Sequence, residues 1–400
     1  MTGTCFSERP LKGLKKRAAI VWILLANVPA AAQQSGTQGS AVAQPLPTPV
    51  MTGPLQTAPP FTIDAGPFGT LDLTGVLSGL GLVQRNPLPE DKSIHLDLSN
   101  GEVFLQKIDG RLQFYVQAGA YDLPALGTAY YATVDTVRDF YQPLPVAYLK
   151  LAPTKNISIL VGLLPTLLGA EPPFTFQNMD IEHGLLWNQG NVVNRGVQVN
   201  DTLGKLTASL SWNDGFYSDR FDWLSGSLSY AWGASNTVAF KAGGNLGQTA
   251  FRSLTTPVQN NGRIYDFIYT HAAGPWIIRP YVQYSSIPTN PKAGVVRGAA
   301  TRSGALLLTY TFPHHFSLSG RGEYISTTGN AGGQAINLLY GPGSGAWSTT
   351  LTPTFQDHGF FIRGEFSVVA ATRFAAGAAF GPQGMNRNQL RAAMEAGVMF

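Results

Sequence analysis

The last ten residues, Arg391 to Phe400, alternate in polarity with a period of two. Phe400, Val398, Ala396, Met394 and Ala392 share one side, and Met399, Gly397, Glu395, Ala393 and Arg391 share the other. Only an extended strand sends successive side chains to opposite faces. One face is then free to meet an apolar phase while the other carries an arginine and a glutamate. Ending such a strand on an aromatic residue predicts the closing strand of a transmembrane β-barrel.

The rest of the chain agrees. Charged residues make up 12% of the 400, about half the ~25% of soluble proteins. No apolar run reaches the 18 or so residues that a membrane-crossing helix needs. Low charge without a long apolar run fits a barrel, where alternation dilutes the hydrophobicity.

The N-terminus reads as a secretory signal over 1–32. Lys12, Lys15, Lys16 and Arg17 precede an apolar stretch from Ala18 to Val28, and Ala30-Ala31-Ala32 offers a small-residue cleavage site. Residues 1–32 hold five of the 27 Lys+Arg and one of the 23 Asp+Glu, so 22 of each remain and the net charge falls from +4 to zero. The basic balance of the whole chain is therefore no argument for nucleic acid. Cys5 lies in the same segment, so removing the signal leaves no thiolate for catalysis and no disulfide. Residues 33–69, rich in Pro, Gln, Ser and Thr, read as a flexible periplasmic leader. The barrel domain is expected over 70–400.

Short and long connections alternate from there. Asp109-Gly110, 152–155, 201–204, 233–235, 272–274, 313–315 and Asp357-His358 are short; 85–93, 122–144, 165–192, 214–222, 247–261, 286–302, 327–345 and 371–390 are long. Seven turns and eight loops join 16 antiparallel strands with both termini on one side, the up-and-down layout of an outer-membrane barrel. The segment 371–386 also alternates enough to allow an extra hairpin. Ile94 to Asn100 alternates poorly and reads as helix or loop. Pro280 and Pro353 fall inside proposed strands and predict a bulge or a weakened ladder. Aromatics gather at strand ends: Trp232, Trp276, Phe312, Phe316, Phe355, Phe360 and Phe400 at the turn side, Trp212, Trp223, Tyr284, Tyr324 and Trp347 at the loop side. Two interfacial belts follow.

Parity places charges inside. Arg111, Lys150, Lys241, Arg279, Arg321, Arg363 and Arg391, with Asp266, Glu323, Glu365 and Glu395, are expected to face the lumen. They would tune ion selectivity, or cancel pairwise in a solvated interior, Arg321 with Glu323 and Arg363 with Glu365. The longest loop, 165–192, is too apolar to hang in water. It is expected to fold into the mouth, with Glu171, Asp180 and Glu182 facing the basic wall, or to pack on the rim or a neighbouring subunit.

Nothing catalytic stands out. His314-His315 lacks spaced partners for a metal, no nucleophile elbow or phosphate loop is present, and His183 with Asp180 is the one weak acid–base pair. No cofactor is expected.

Several segments resemble an OmpL-like β-barrel porin family of bacterial outer membranes. They are Gly184-Leu-Leu-Trp-Asn-Gln-Gly190, Asn194-Arg-Gly-Val-Gln-Val199, Ser211-Trp-Asn-Asp-Gly-Phe-Tyr217, Phe114 to Tyr121, Leu164 to Glu171 and Asn388 to Phe400. The resemblance spans roughly 70–400 and implies a passive pore. It brings no substrate residues with it.

The expectation is a water-filled outer-membrane barrel passing small hydrophilic solutes or ions, with membrane lipid around it and, by analogy with other 16-stranded porins, a homotrimer. The rivals are an adhesin or scaffold working through its loops, and a rim hydrolase using His183. A plugged transporter would need 22 strands and a plug domain, and neither inward apolar residues nor a plug sequence stands out.

Overall fold

The computed structural model describes residues 49–247, 258–330 and 333–400. The expected signal, the start of the leader and part of the loop 247–261 lie outside them. After a short strand β1 (Phe61–Asp64), the chain forms β2 (Thr70–Arg85), β3 (Ile94–Lys107), β4 (Leu112–Tyr121), β5 (Val146–Leu151), β6 (Ile157–Pro165), β7 (Val193–Leu203), β8 (Leu206–Asn213) and β9 (Trp223–Trp232). It continues through β10 (Asn236–Asn245), β11 (Arg263–Ala273), β12 (Trp276–Ile287), β13 (Ala299–Thr311), β14 (Phe316–Thr327), β15 (Gly345–Asp357), β16 (Phe360–Thr372) and β17 (Asn388–Met399).

Each strand from β2 to β17 pairs with the next, and β17 pairs with β2, so sixteen strands close a barrel. β1 adds a short flap on β2, Phe61 opposite Leu73. All these pairings are antiparallel, so short turns lie at one end and long loops at the other. The segment after β16 is a loop carrying one isolated bridge, Phe380 to Asn386, and not a further hairpin.

Parity sorts the side chains as a membrane requires. On β16, Phe360, Ile362, Phe366 and Val368 point out and are exposed, while Phe361, Arg363, Glu365 and Ser367 point in and are buried. On β17, Leu390, Met394 and Val398 point out; Arg391, Glu395 and Met399 point in. In water the outer face would be one continuous apolar patch; in lipid it is solvated.

Two irregularities differ from expectation. The poorly alternating segment at Ile94 is strand: Ser78 pairs with Asn100 but Gly79 with Leu98, so Ser99 is an extra residue in a bulge. The bulge shifts parity, so both Ser99 and Asn100 point in and are fully buried. Pro280 and Pro353 keep register. The β11–β12 ladder skips them between Ile268–Tyr281 and His271–Ile278, and the β15–β16 ladder between Leu351–Phe366 and Thr354–Arg363. Each proline costs local hydrogen bonds without adding a residue.

The barrel closes on a ring against a glycine. Gly75 and Phe400 exchange backbone hydrogen bonds of 2.7 and 3.0 Å. A Cβ on Gly75 would lie 2.6 Å from the Phe400 ring, so the terminal aromatic seats where a side chain is missing.

Of the expected belt residues, Trp223 is misplaced. It is fully buried and faces inward, packed on Phe216, with its indole N–H donating to the Asn260 carbonyl at 2.6 Å.

Candidate functional site

The loop between β6 and β7, residues 166–192, lies inside the barrel. Its chain reaches one wall after another. Gly169 N donates to Asp266 on β11 at 2.8 Å, and Lys241 on β10 donates to the Gly169 carbonyl at 2.6 Å. Arg279 on β12 reaches the Ala170 carbonyl at 3.4 Å. Further along, Thr175 donates to Glu395 on β17 at 2.8 Å and Ile181 N to Glu365 on β16 at 2.5 Å. Leu185 N donates to Glu323 on β14 at 2.9 Å. Asp266, Glu365 and Glu323 thus accept from the loop's backbone, where an apolar wall would strand those N–H groups, and Glu395 accepts from a loop hydroxyl.

Arginines complete the attachment. Arg321 on β14 meets Glu171 at 2.7 Å and Asp180 at 3.4 Å, and donates to the Glu182 carbonyl at 2.9 Å. Arg391 on β17 meets Glu182 at 2.5 Å. Arg363 on β16 donates to the Thr175 and Asn178 carbonyls at 3.2 and 3.3 Å. The three loop acids therefore touch the basic wall directly. No gap separates them from it. Arg363 finds its carboxylate across the ladder, Glu395 at 3.5 Å, in place of Glu365 two residues on. Arg321 does approach its in-strand neighbour Glu323, at 3.5 Å. Arg321, Glu323, Arg363, Glu365, Arg391 and Glu395 are each at most 4% exposed. Lys150 faces in from β5 and is buried. Arg111 does not belong to this set: it lies exposed in the turn before β4, where the parity argument does not apply.

Other loops hold this one from outside. His183 N donates to the Pro124 carbonyl, and Leu126 N to the His183 carbonyl, at 2.8 and 2.9 Å. Gln189 reaches the Leu338 carbonyl at 3.0 Å and Asn191 the Gly215 carbonyl at 2.8 Å. The His183 ring stacks on Trp187 at 4.0 Å, with Nδ1 3.0 Å from the Pro124 carbonyl and Nε2 3.1 Å from the Asn178 amide. Burial holds this imidazole down, to about 4. Both its nitrogens are committed to structure, and Asp180 is engaged with Thr352 and Arg321. The pair does not form the relay that a hydrolase needs. Burial also raises the Glu171 carboxyl, against the pull of Arg321.

A second segment, residues 49–58, enters from the turn side. Gln56 and Gln356 exchange two hydrogen bonds of 2.8 Å at the β15–β16 turn. Leu55 is fully buried among Val76, Phe104, Phe361 and Met399. Thr52 N and Gly53 N both donate to the Gln177 carbonyl, at 2.8 and 3.1 Å. A Cβ on Gly53 would run into the Asn178 carbonyl, so only glycine lets the two segments pass. This strap was not legible as a lumen element, since its composition is that of a linker.

The lumen is thus lined with apolar groups over part of its height, contrary to expectation. Val76, Leu80, Leu82, Phe104, Tyr115 and Tyr148 all point in and are buried. Between strap, loop and wall remains a cavity of about 160 Å³ bordered by Thr52, Gln117, Thr166, Glu171 and Lys241. The opposite wall is different. Ser158, Asn200, Thr207, Ser209, Ser227, Ser229 and Thr237 point inward on β6–β10 and stay partly exposed. Small hydroxyl groups there leave room for water.

The family described as "Putative beta-barrel porin-2, OmpL-like" matches residues 70–400. This chain belongs to that porin family. No curated protein matches it. Among solved structures, the outer membrane channel DcaP of Acinetobacter baumannii is 10% identical, with a TM-score of 0.56 over 85% of this chain and 99% of its own. OmpT of Vibrio cholerae is 11% identical, with a TM-score of 0.54 over 86% of this chain and 100% of its own. OmpT also has a trimer form, 11% identical with a TM-score of 0.52 over 82% and 99%. At such identities the likeness is one of fold, and the family rests on the match over 70–400.

Proposed function

We propose that this porin passes small hydrophilic solutes and ions by passive diffusion across a bacterial outer membrane. The path runs along the hydroxyl-lined wall of β6–β10, beside the loop 166–192. The observation that carries this reading is the unequal lumen: one wall is bound to the loop and the other keeps small, partly exposed polar side chains. Loop and strap set the width, and Lys241, Arg279, Arg321, Arg363 and Arg391 with Glu171, Asp180, Glu182, Glu323, Glu365 and Glu395 set the field beside it. Most of these charges are already paired, so selectivity comes from what is left over and is modest. Lys150 adds one further inward cation. The alternating outer face and the relation to outer membrane channels support the location. The trimer form of OmpT supports a homotrimer.

The test is reconstitution in a planar bilayer under a salt gradient. Discrete conductance steps with a small reversal potential are expected. A folded barrel that stays electrically silent, and remains so after removal of the strap and of residues 170–185, would overturn the porin reading in favour of a scaffold or adhesin. Silence relieved by those deletions would mean that the two segments close the pore as well as narrow it.

A further inference from the structure

The outer face of β8–β11 is not uniform. Three neighbouring outward positions lack bulk: Gly226 pairs with Ala242, and Gly244 follows two residues along β10. Larger outward residues flank them, Leu228 and Phe240 on the turn side and Tyr265 on β11. The result is a shallow, open groove of about 610 Å³ on the lipid side.

The groove has a cationic head. Arg263 closes its loop-side end. A Cβ on Gly244 would come within 3.1 Å of the Arg263 Cγ, so the glycine lets the arginine lie over the trough. Arg302 stands two strands away, opposite Tyr284, which is opposite Tyr265. Strand spacing and rise put the two arginine Cα atoms about 12 Å apart, within the span of two extended side chains. Both arginines are exposed. Among the described residues neither enters an ion pair.

Their height matters. Tyr265 and Tyr284 sit in the loop-side aromatic belt with their rings 6.4 Å apart. Trp276 to Tyr284 spans eight residues, roughly 27 Å along the strand and about 20 Å of height at barrel tilt. Arg263 and Arg302 are therefore at headgroup level, with the apolar trough running below them into the hydrocarbon.

A second outer groove supplies the contrast. It is about 520 Å³, bordered by the outward Val161, Val197 and Trp212, with Arg195 at its loop-side end. There the arginine is spent: it meets Asp214 at 2.7 Å and Asp219 at 3.3 Å and covers the Tyr217 ring at 4.1 Å. Of these two grooves, the Arg263 groove is the one that joins an apolar trough to guanidinium groups outside any ion pair among the described residues.

The geometry points to a binding site for a phosphate-bearing acyl lipid of the external leaflet, with one chain in the Gly226–Ala242–Gly244 trough and the phosphate on Arg263 and Arg302. Arginine forks match phosphate oxygens and are weakly hydrated, which suits them to this level of a membrane. The inference rests on the orientation of the barrel in its membrane and is independent of conduction.

The test counts lipid on the purified, folded barrel. Detergent-solubilised protein is incubated with phosphatidylglycerol or phosphatidylcholine of the same acyl chains, and retained lipid is read by native mass spectrometry. One phosphatidylglycerol adduct is expected, about tenfold above phosphatidylcholine and not displaced by inorganic phosphate. Replacing Arg263→Ala and Arg302→Ala together should bring phosphatidylglycerol down to the phosphatidylcholine level, while Arg195→Ala leaves it unchanged. Filling the trough with Gly226→Leu and Ala242→Leu should remove the adduct with the arginines intact. Equal phosphatidylglycerol retention by the double arginine variant would overturn the proposal. So would a trough-filled variant that keeps its adduct but loses subunit association, since the groove would then seat a second copy of the chain.

Discussion

The two halves of the lumen wall are built from the same alternation yet end in opposite states. On β14, β16 and β17 the inward residues include paired arginines and carboxylates, with buried serines and threonines on β15 between them and apolar and aromatic groups on β2–β4, and the loop 166–192 is bound to the charged part. On β6–β10 many are serine, threonine and asparagine that stay partly exposed, and the loop meets that wall at Lys241 and through Leu168 beside Trp223. The difference lies in partners. A buried arginine or carboxylate is tolerated only with opposing charge and hydrogen bonds, and the loop supplies both with Glu171, Asp180, Glu182 and its backbone. Short hydroxyls satisfy themselves with water and their own strands. In this barrel most of the inward charges gather where the loop is bound.

Removing the bound element should have the largest effect. Deletion of 170–185 is expected to raise single-channel conductance severalfold while the barrel still folds, and unchanged conductance would mean that the loop does not narrow the path. Next comes the anchor. Arg321→Met leaves Glu171, Asp180 and Glu323 facing one another without their cation, a loss of about 3–5 kcal/mol; it should appear as lowered thermal stability and noisy, fluctuating conductance. On the open wall the prediction is the reverse: Ser209→Trp with Ser227→Trp should cut conductance by about half with little change in stability. A bulky residue at Ser348, already buried on the crowded side, should alter stability and leave conductance nearly alone. A result in which both walls respond alike would erase the distinction.

Acid gives a smaller, graded test. His183 is held near 4 by burial, below its unfolded value of about 6.5. A depressed histidine favours the neutral folded form, so its contribution is present above pH 6.5 or so and is lost as pH falls toward 4. Glu171 runs the other way. Burial raises it, so its protonation over the same fall removes a buried charge and offsets part of the loss. Loosening of the loop is expected between about pH 6 and 4, read as a pH-dependent conductance that His183→Gln flattens. The smallest effect is at the seam. Gly75→Ala displaces the Phe400 ring and should lower stability by about 1–3 kcal/mol.

Much of the fold was legible because parity is local. A run such as Phe360 to Ala370 declares its two faces without reference to anything else, and turns and loops follow from where such runs stop. Reading failed where one residue shifted the count, as Ser99 does. It also failed where a residue sat just off its strand, as Arg111 does, and where an aromatic at a strand end faced in, as Trp223 does. The site was half legible. Which residues point inward follows from sequence, but which ones meet does not. Glu365 was the obvious mate for Arg363, yet ladder register brings Glu395 there and gives Glu365 to the loop backbone. Register and loop path are set by distant segments. The strap was invisible because its few apolar residues, Val50, Met51, Leu55 and Ala58, are scattered without period in a linker-like stretch.

The seating of Phe400 on Gly75 carries a temporal consequence. The first and last barrel strands meet across more than 300 residues, and contacts so distant in sequence form slowly. The strap leads directly into β1 and β2, and the loop 166–192 is hydrogen-bonded to β10, β11, β12, β14, β16 and β17. The seam itself brings nothing into the lumen: the strap comes in by the turn-side mouth and the loop by the opposite one, so Gly75 against Phe400 acts as the clasp of the wall while the two mouths admit its contents.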